Sequence, residues 1–372
     1  MKKRINSVFI TIGTSLLLAC MPFCAHSADV EMNGNASVTG TLSAGSFSGS
    51  GAGITNIPGA AISNTSITVN QLANSAVTVD KLADAAVTSS KIAFFGKVAI
   101  VSPSGGDYTN PAAAMSDYLG WCGTPSATNT CILKIMPGVY DVGTSTVLMQ
   151  NYIDIEGSGE GTTTITGNVA TGTAGVVNGA SIAEIRFITV KNTGGGTSAM
   201  AIYNSGAAVK ITNVTAMASG ATYNYAVYSE SSSSPLMLNV TASASGGTGS
   251  YAIMNSSASV ATLTNVTATA SGASGSNIGV YNSGSSATML SVTVVATGGT
   301  ANTAVNNYGG GSTYSVKIKN SVINGTTFSI SNQPNFTTHV GSTEISGALI
   351  GSGVTCAGVY NAAYVFYGSS CP

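Results

Sequence analysis

The sequence predicts an all-β solenoid, one chain wound into a parallel β-helix, and three observations carry that expectation. Ala201-Ile202-Tyr203-Asn204 returns as Ala226-Val227-Tyr228, Ala252-Ile253-Met254-Asn255, Gly279-Val280-Tyr281-Asn282 and Ala304-Val305-Asn306, in steps of 25 to 27 residues. A second phrase, Asn213-Val214-Thr215, returns as Asn239-Val240-Thr241, Asn265-Val266-Thr267 and Ser291-Val292-Thr293, stepping by 26. A period of this length marks units that bury their apolar face only by stacking on their neighbours. The units are also short, β-branched and broken by Gly, Ser and Asn, which suits strands and not helices.

Composition narrows the function classes. Charged residues make up 7% of the 372, against about 25% in an ordinary globular domain. The net charge is -1, so there is no basic patch to neutralise phosphates and no nucleic-acid partner is expected. At 44% hydrophobic residues and a mean hydropathy of +0.31, the chain is too apolar for classical disorder.

In chain order, residues 1–27 read as a signal peptide, with Lys2, Lys3 and Arg4 ahead of the apolar run from Val8 to Leu18 and small residues at Ala25 and Ser27. Leu17-Leu18-Ala19-Cys20 offers a rival reading, an outer-membrane lipoprotein anchored at Cys20. Simple secretion is favoured because it leaves four cysteines in two close pairs, Cys122/Cys131 and Cys356/Cys371, suited to disulfides in an oxidising compartment. No later apolar run reaches the ~18 residues of a membrane span. Residues 28–95 form a low-complexity stalk. In it Ile67-Thr68-Val69-Asn70-Gln71-Leu72-Ala73 is echoed by Val77-Thr78-Val79-Asp80-Lys81-Leu82-Ala83 and by Val87-Thr88-Ser89-Ser90-Lys91-Ile92-Ala93. These ten-residue units resemble stalk segments of phage tail fibres and bacterial surface fibres.

Residues 96–345 are the expected shaft. Val98 to Val101 reads as a strand, and Asn110 followed by Pro111 reads as the start of a short capping helix running to Trp121. Alternating strands follow from Cys131 to Tyr140 and through Asn151-Tyr152-Ile153-Asp154-Ile155-Glu156. From Val98 to Gly167, the order of Gly-Gly-Asp-Tyr-Thr, helix, Pro-Gly-Val-Tyr-Asp and Ile-Glu-Gly-Ser-Gly-Glu-Gly-Thr-Thr is similar to the opening coils of the pectin-lyase-like superfamily, which includes pectin methylesterases. That resemblance implies a single-stranded right-handed parallel β-helix. Roughly eight coils at about 4.8 Å each give a shaft of roughly 40 Å. Ile202, Val227, Ile253, Val280 and Val305 should form one inward column, Val214, Val240, Val266 and Val292 another, and Asn213, Asn239 and Asn265 an amide ladder. Residues 346–372, closed by Cys356 and Cys371, are the expected C-terminal cap.

Chemistry is sparse. Past the leader His339 is the only histidine, so no Ser-His-Asp or Cys-His site is expected, and no cluster has metal-ligand spacing. A glycosidase needs two carboxylates around one bond, yet Glu230 is the only acid between Gly194 and Thr343. The aspartates, arginine and glutamines of a pectin-methylesterase-like site find no motif match. Polar chemistry concentrates at Asp154, Glu156, Glu160, Glu184 and Arg186, the one place that would suit calcium or an acidic sugar; otherwise no metal or cofactor is expected. Tyr203, Tyr228 and Tyr281 recur at equivalent positions, as glycan-binding candidates on the outer face or as rings packed on one another.

Two functions stand from sequence. The preferred one is a secreted, non-enzymatic structural or adhesive protein that binds polysaccharide along its shaft. The alternative is a carbohydrate-active enzyme, a lyase, hydrolase or esterase, with a site near Asp154, Glu156, Glu184 and Arg186. In either case the stalk stripe of Ile67, Leu72, Val77, Leu82, Val87 and Ile92 is too narrow to make its own core. Covering each such side chain is worth about 1.5–3 kcal/mol, so residues 28–95 should drive self-association, with a trimer favoured. Light scattering should find an oligomer for the chain from Ala28 and a monomer for the chain from Gly96. Monomers in both cases would reduce the stalk to a linker.

Overall fold

The computed structural model describes residues 97–372 continuously and a few isolated positions between 35 and 78. The leader at 1–27 and nearly all of the 28–95 stalk therefore lie outside the described residues. The chain divides into Met1–Val77 and Thr78–Pro372, and the fold is that of the second unit. It is a right-handed parallel β-helix of about eight turns with two short helices.

Each turn contributes a strand to each of three parallel sheets. The first sheet stacks Val98–Val101, Cys131–Ile135, Ile153–Glu156 and the start of Glu184–Asn192, and continues to Val354–Ala357. The second stacks Gly138–Asp141, Thr163–Gly167 and the latter part of Glu184–Asn192. The third stacks Val147–Leu148, Val177–Asn178, Ser198–Ser205 and Tyr223–Glu230. The repeat phrases fall in register, with Ile202, Val227, Ile253, Val280 and Val305 stacked and fully buried. Val214 stacks on Val240, and with Val266 and Val292 it is also buried.

The asparagine of the second phrase marks the corner between the first and second sheets. Asn213, Asn239 and Asn265 take φ of 51, 55 and 53°, the left-handed region that asparagine tolerates better than most L residues. Their side chains form the expected ladder, Asn265 Nδ2 donating to Asn239 Oδ1 at 2.7 Å and Asn239 Nδ2 to Asn213 Oδ1 at 3.0 Å. A second ladder lies buried behind the third sheet, where Asn255, Asn282, Asn307 and Asn332 pass amide hydrogen bonds of 2.8–2.9 Å from turn to turn. Ser229 occupies the rung between Asn204 and Asn255. It accepts from Asn204 Nδ2 and, having no amide to pass on, leaves Asn255 Oδ1 without a partner; Asn204 Oδ1, which faces Gly179 of the preceding turn, is unpaired as well.

Asn110 caps the first helix, Pro111–Ser116, by accepting from the Ala112 and Ala113 amides. Ala114 and Met115 of that helix are buried at the open end of the solenoid, which keeps the first turn's apolar interior out of water. A disulfide joins Cys122 to Cys131 beside this cap and another joins Cys356 to Cys371 at the far end. Each short loop closed in this way stabilises by about 3 kcal/mol on the chain-entropy model.

The buried ladder gives a two-sided test. A buried polar group left unpaired costs about 1–3 kcal/mol. Ser229→Asn completes the run and should raise the melting temperature. Asn282→Ala removes two rungs and should lower it, at about 2–4 °C per kcal/mol for a domain of this size. Thermal melts followed by circular dichroism check both signs.

Candidate functional site

The four charged residues Asp154, Glu156, Glu184 and Arg186 meet on the outer face of the first sheet. In Ile153–Glu156 the two isoleucines are buried and the two acids point out, as strand alternation requires. Register sets Glu156 between Lys134 and Arg186 on successive turns, and places Lys210 on Glu184. Arg186 is the hub. Its guanidinium reaches Asp154 at 2.9 Å, Glu156 at 2.8 Å and Glu184 at 3.0 Å. Lys134 pairs with Glu156 at 2.8 Å and Lys210 with Glu184 at 3.1 Å. Three acids and three bases thus form one neutral ladder across four turns. Arg186 keeps 18% of its side chain exposed and Asp154 32%, so the ladder is open to a ligand.

Burial pushes the Glu156 carboxyl up, but the hydrogen bonds and charges of Lys134 and Arg186 outweigh it and hold the group below the usual carboxylate value. Glu184 behaves alike: burial raises it, and the Lys210 and Arg186 charges carry it below normal. For Arg186, burial works against the charge, and Asp154 and Glu156 more than restore it. Glu156 and Glu184 are therefore ionised at neutral pH. They are equipped to accept a proton or attack a carbon, and not to donate a proton.

Glu160 stands apart in the corner between Ile153–Glu156 and Thr163–Gly167, where Oε2 accepts from the hydroxyl of Thr215 on the second sheet at 2.6 Å. Among the described residues no group of three or more His, Cys, Asp or Glu is arranged to hold a metal ion. His339 is exposed, between Lys317 and Thr355 in register.

The tyrosines occupy the third sheet, away from the ladder. Tyr203 meets Tyr228 edge-on at 5.7 Å, and the row continues through Tyr225, Tyr251, Tyr281 and Tyr308 at centroid spacings of 5.0–6.4 Å. Tyr225 and Tyr251 are stacked within 13°, so these rings spend their faces on one another and offer water mainly edges and hydroxyls. The Tyr203 and Tyr228 hydroxyls both donate to Glu230. Burial first, and the Glu230 carboxylate second, push the Tyr203 phenol up to about 12.

Sequence reading missed Lys134, Lys210, Tyr225, Tyr251 and Tyr308. Lys210 lies 26 residues after Glu184 and Tyr251 lies 26 after Tyr225, so the period alone could have placed both pairs. Lys134 lies 22 residues before Glu156 and carried no such mark.

No protein-family model and no curated protein matches this sequence. Solved structures do share its winding. A pectin methylesterase from carrot is similar at a TM-score of 0.42 and 15% identity, over 70% of this chain and 84% of that one. Pectin methylesterase PemA from Erwinia chrysanthemi is similar at 0.40 and 11%, over 74% and 92%. The A-module of the Azotobacter vinelandii mannuronan C-5 epimerase AlgE4 is similar at 0.38 and 13%, over 72% and 93%. The likeness is one of fold. The neighbours named are two pectin methylesterases and a mannuronan C-5 epimerase, and beside them the expectation of a non-enzymatic structural or adhesive protein is withdrawn. That expectation rested on the lack of a usable histidine and of a motif match; it did not place Lys134 and Lys210, which complete a set of six charged groups gathered on one face.

The ladder predicts a specific acid response. Both glutamate shifts are downward from an ordinary value of 4.5, so the stability they contribute is present above that pH and lost as pH falls through the lower folded-state value. Melting temperature should hold from pH 7 to about pH 5 and drop below pH 4. The drop should be smaller in the double variant Glu156→Gln/Glu184→Gln.

Proposed function

We propose that this protein is a carbohydrate-active enzyme that works on an acidic polysaccharide at the ladder of Asp154, Glu156, Glu184 and Arg186. The observation that carries the reading is a single arginine held among three carboxyl side chains on an open face of the solenoid. Arg186, flanked by Lys134 and Lys210, supplies positive charge to hold an anionic sugar unit, in the way that guanidinium forks hold carboxylates. When a uronate carboxylate takes up Arg186, Asp154 or Glu156 is released from its ion pair beside the sugar, charged and able to act as base or nucleophile. Ester hydrolysis and proton abstraction at a uronate both fit that role. Acid-catalysed glycoside cleavage does not, because both glutamates are held below the range of a proton donor.

Secretion past the 1–27 leader and self-association through the stalk, as a trimer, complete the proposal. Two disulfides support an oxidising, extracellular setting, and no helix among the described residues is long and apolar enough to cross a membrane.

The test is turnover of oligogalacturonate, its methyl ester and oligomannuronate, followed through released methanol, new unsaturated ends and new reducing ends. One of these substrates should be consumed. Glu156→Gln and Arg186→Met should each cut the rate by about 10²–10⁴-fold while circular dichroism stays that of a β-helix. Neither turnover nor binding of any of the three would overturn the proposal.

A further inference from the structure

The corner that leads from the third sheet into the first recurs in every turn with a left-handed backbone. In later turns it is filled by Gly206, by Ser231 and Ser232, by Ser257 and Ala258, and by Gly284, all at positive φ. Small residues are what such a corner favours, since a side chain at positive φ costs about 1–2 kcal/mol. The early turns break this rule. There the left-handed residue comes later in the corner, two positions before the first-sheet acid, and is bulky: Tyr152 at φ 65° and Ile182 in the next turn at φ 53°, joined by the Tyr152 amide donating to the Ile182 carbonyl. A bulky residue kept in a strained corner points to use of its side chain.

Beside Tyr152 is a cavity of about 370 Å³, lined by Tyr118, Pro125, Met149, Gln150, Asn151, Tyr152 and Ala180. Its volume lies in the range of roughly 300–1,000 Å³ typical of small-ligand sites. Three parts of the fold build it. The cap helix Tyr118–Trp121 brings Tyr118, the Cys122–Cys131 disulfide loop brings Pro125, and the strained corner brings Gln150 to Tyr152. No charged residue lines it. Two tyrosines give flat apolar surface and hydroxyls, and two amides give paired donors and acceptors. The Gln150 amide is scarcely committed, reaching only the Leu148 carbonyl at 3.5 Å. Flat rings beside amides match the two aspects of a sugar, its apolar ring face and its hydroxyls.

We infer that this cavity is a subsite for one uncharged pyranose unit of the polysaccharide. The inference rests on the reading of the ladder as the reacting site. Tyr152 precedes Asp154 by two residues, a Cα separation of at most about 7 Å, so a ring in the cavity and a ring over the ladder belong to neighbouring units of one chain. A neutral sugar and an esterified uronate share the required chemistry, and a free uronate lacks it, because burying its carboxylate among uncharged groups is penalised.

The test uses the full chain and its single tryptophan, Trp121, which shares a helix turn with Tyr118 and donates from Nε1 to the Ala114 carbonyl at 2.8 Å. Fluorescence is titrated with oligogalacturonate, with its methyl ester and with a neutral galacto-oligosaccharide. The methyl ester, the neutral sugar or both should perturb Trp121, and the free acid should bind at least tenfold more weakly at this site. Tyr152→Gly should melt at or above the wild-type temperature, because glycine relieves the corner, and yet lose at least tenfold in affinity. Asn151→Ala, at an exposed position, should lose affinity with no change in melting. Unchanged affinity in both variants, or equal binding of the free acid, would overturn the subsite. Glu156→Gln separates the two ideas: lost turnover with retained Trp121 binding supports both. Retained turnover sinks the ladder reading and leaves the cavity to be judged by affinity alone.

Discussion

A turn hydrogen-bonded to parallel turns above and below must place each side chain over its equivalent in the next turn, about 4.8 Å away. This register constraint governs every feature of the molecule. A valine at one position requires an apolar residue 26 positions on, or the interior column is broken. An asparagine amide finds its partner in the same amide one turn later, which is how polar groups such as Asn282 and Asn307 can be fully buried at little cost. The same rule makes mismatches visible. Ser229 in an asparagine column leaves the Asn255 acceptor without a partner.

Register also explains how a chain so poor in charge can build a charged site. Stacking like charges 4.8 Å apart is unfavourable, so a column of charges must alternate in sign or recruit a counter-charge from the next column. Lys134, Glu156 and Arg186 alternate in one column, while Asp154 and Glu184, adjacent in the other, share Arg186 between them. The outcome is a neutral lattice in which displacing one partner exposes an opposite charge. Such an arrangement suits an anionic ligand that competes for Arg186. The tyrosine row on the third sheet follows the same stacking rule with different chemistry, its rings covering one another where the charges pair.

The fold was legible from Ser198 to Tyr308 because there the corners hold to one length and the phrases repeat. The early turns were harder. Glu156 lies 22 residues from Lys134 and 30 from Arg186, since the corners there vary in length, and no fixed period reveals that the three share a column. Asp154, Glu156, Glu184 and Arg186 were grouped by their closeness in sequence together with Glu160, which sits in the corner after Glu156 and turns to Thr215. For Tyr203 alternation left open an outer ladder or rings packed on one another; it is only 5% exposed, since Tyr228 leans on it and Glu230 takes its hydroxyl. The cavity at Tyr152 was not legible, because it needs the cap helix, the disulfide loop and the corner in one place.

The most direct measurement is a crystal structure of the protein with a partly methyl-esterified hexagalacturonate bound. The account predicts a sugar chain lying across the first sheet, with one uronate carboxylate on Arg186 and one ring between Tyr118 and Tyr152. A sugar bound along the tyrosine row instead, with the ion pairs of Arg186 left intact, would contradict it.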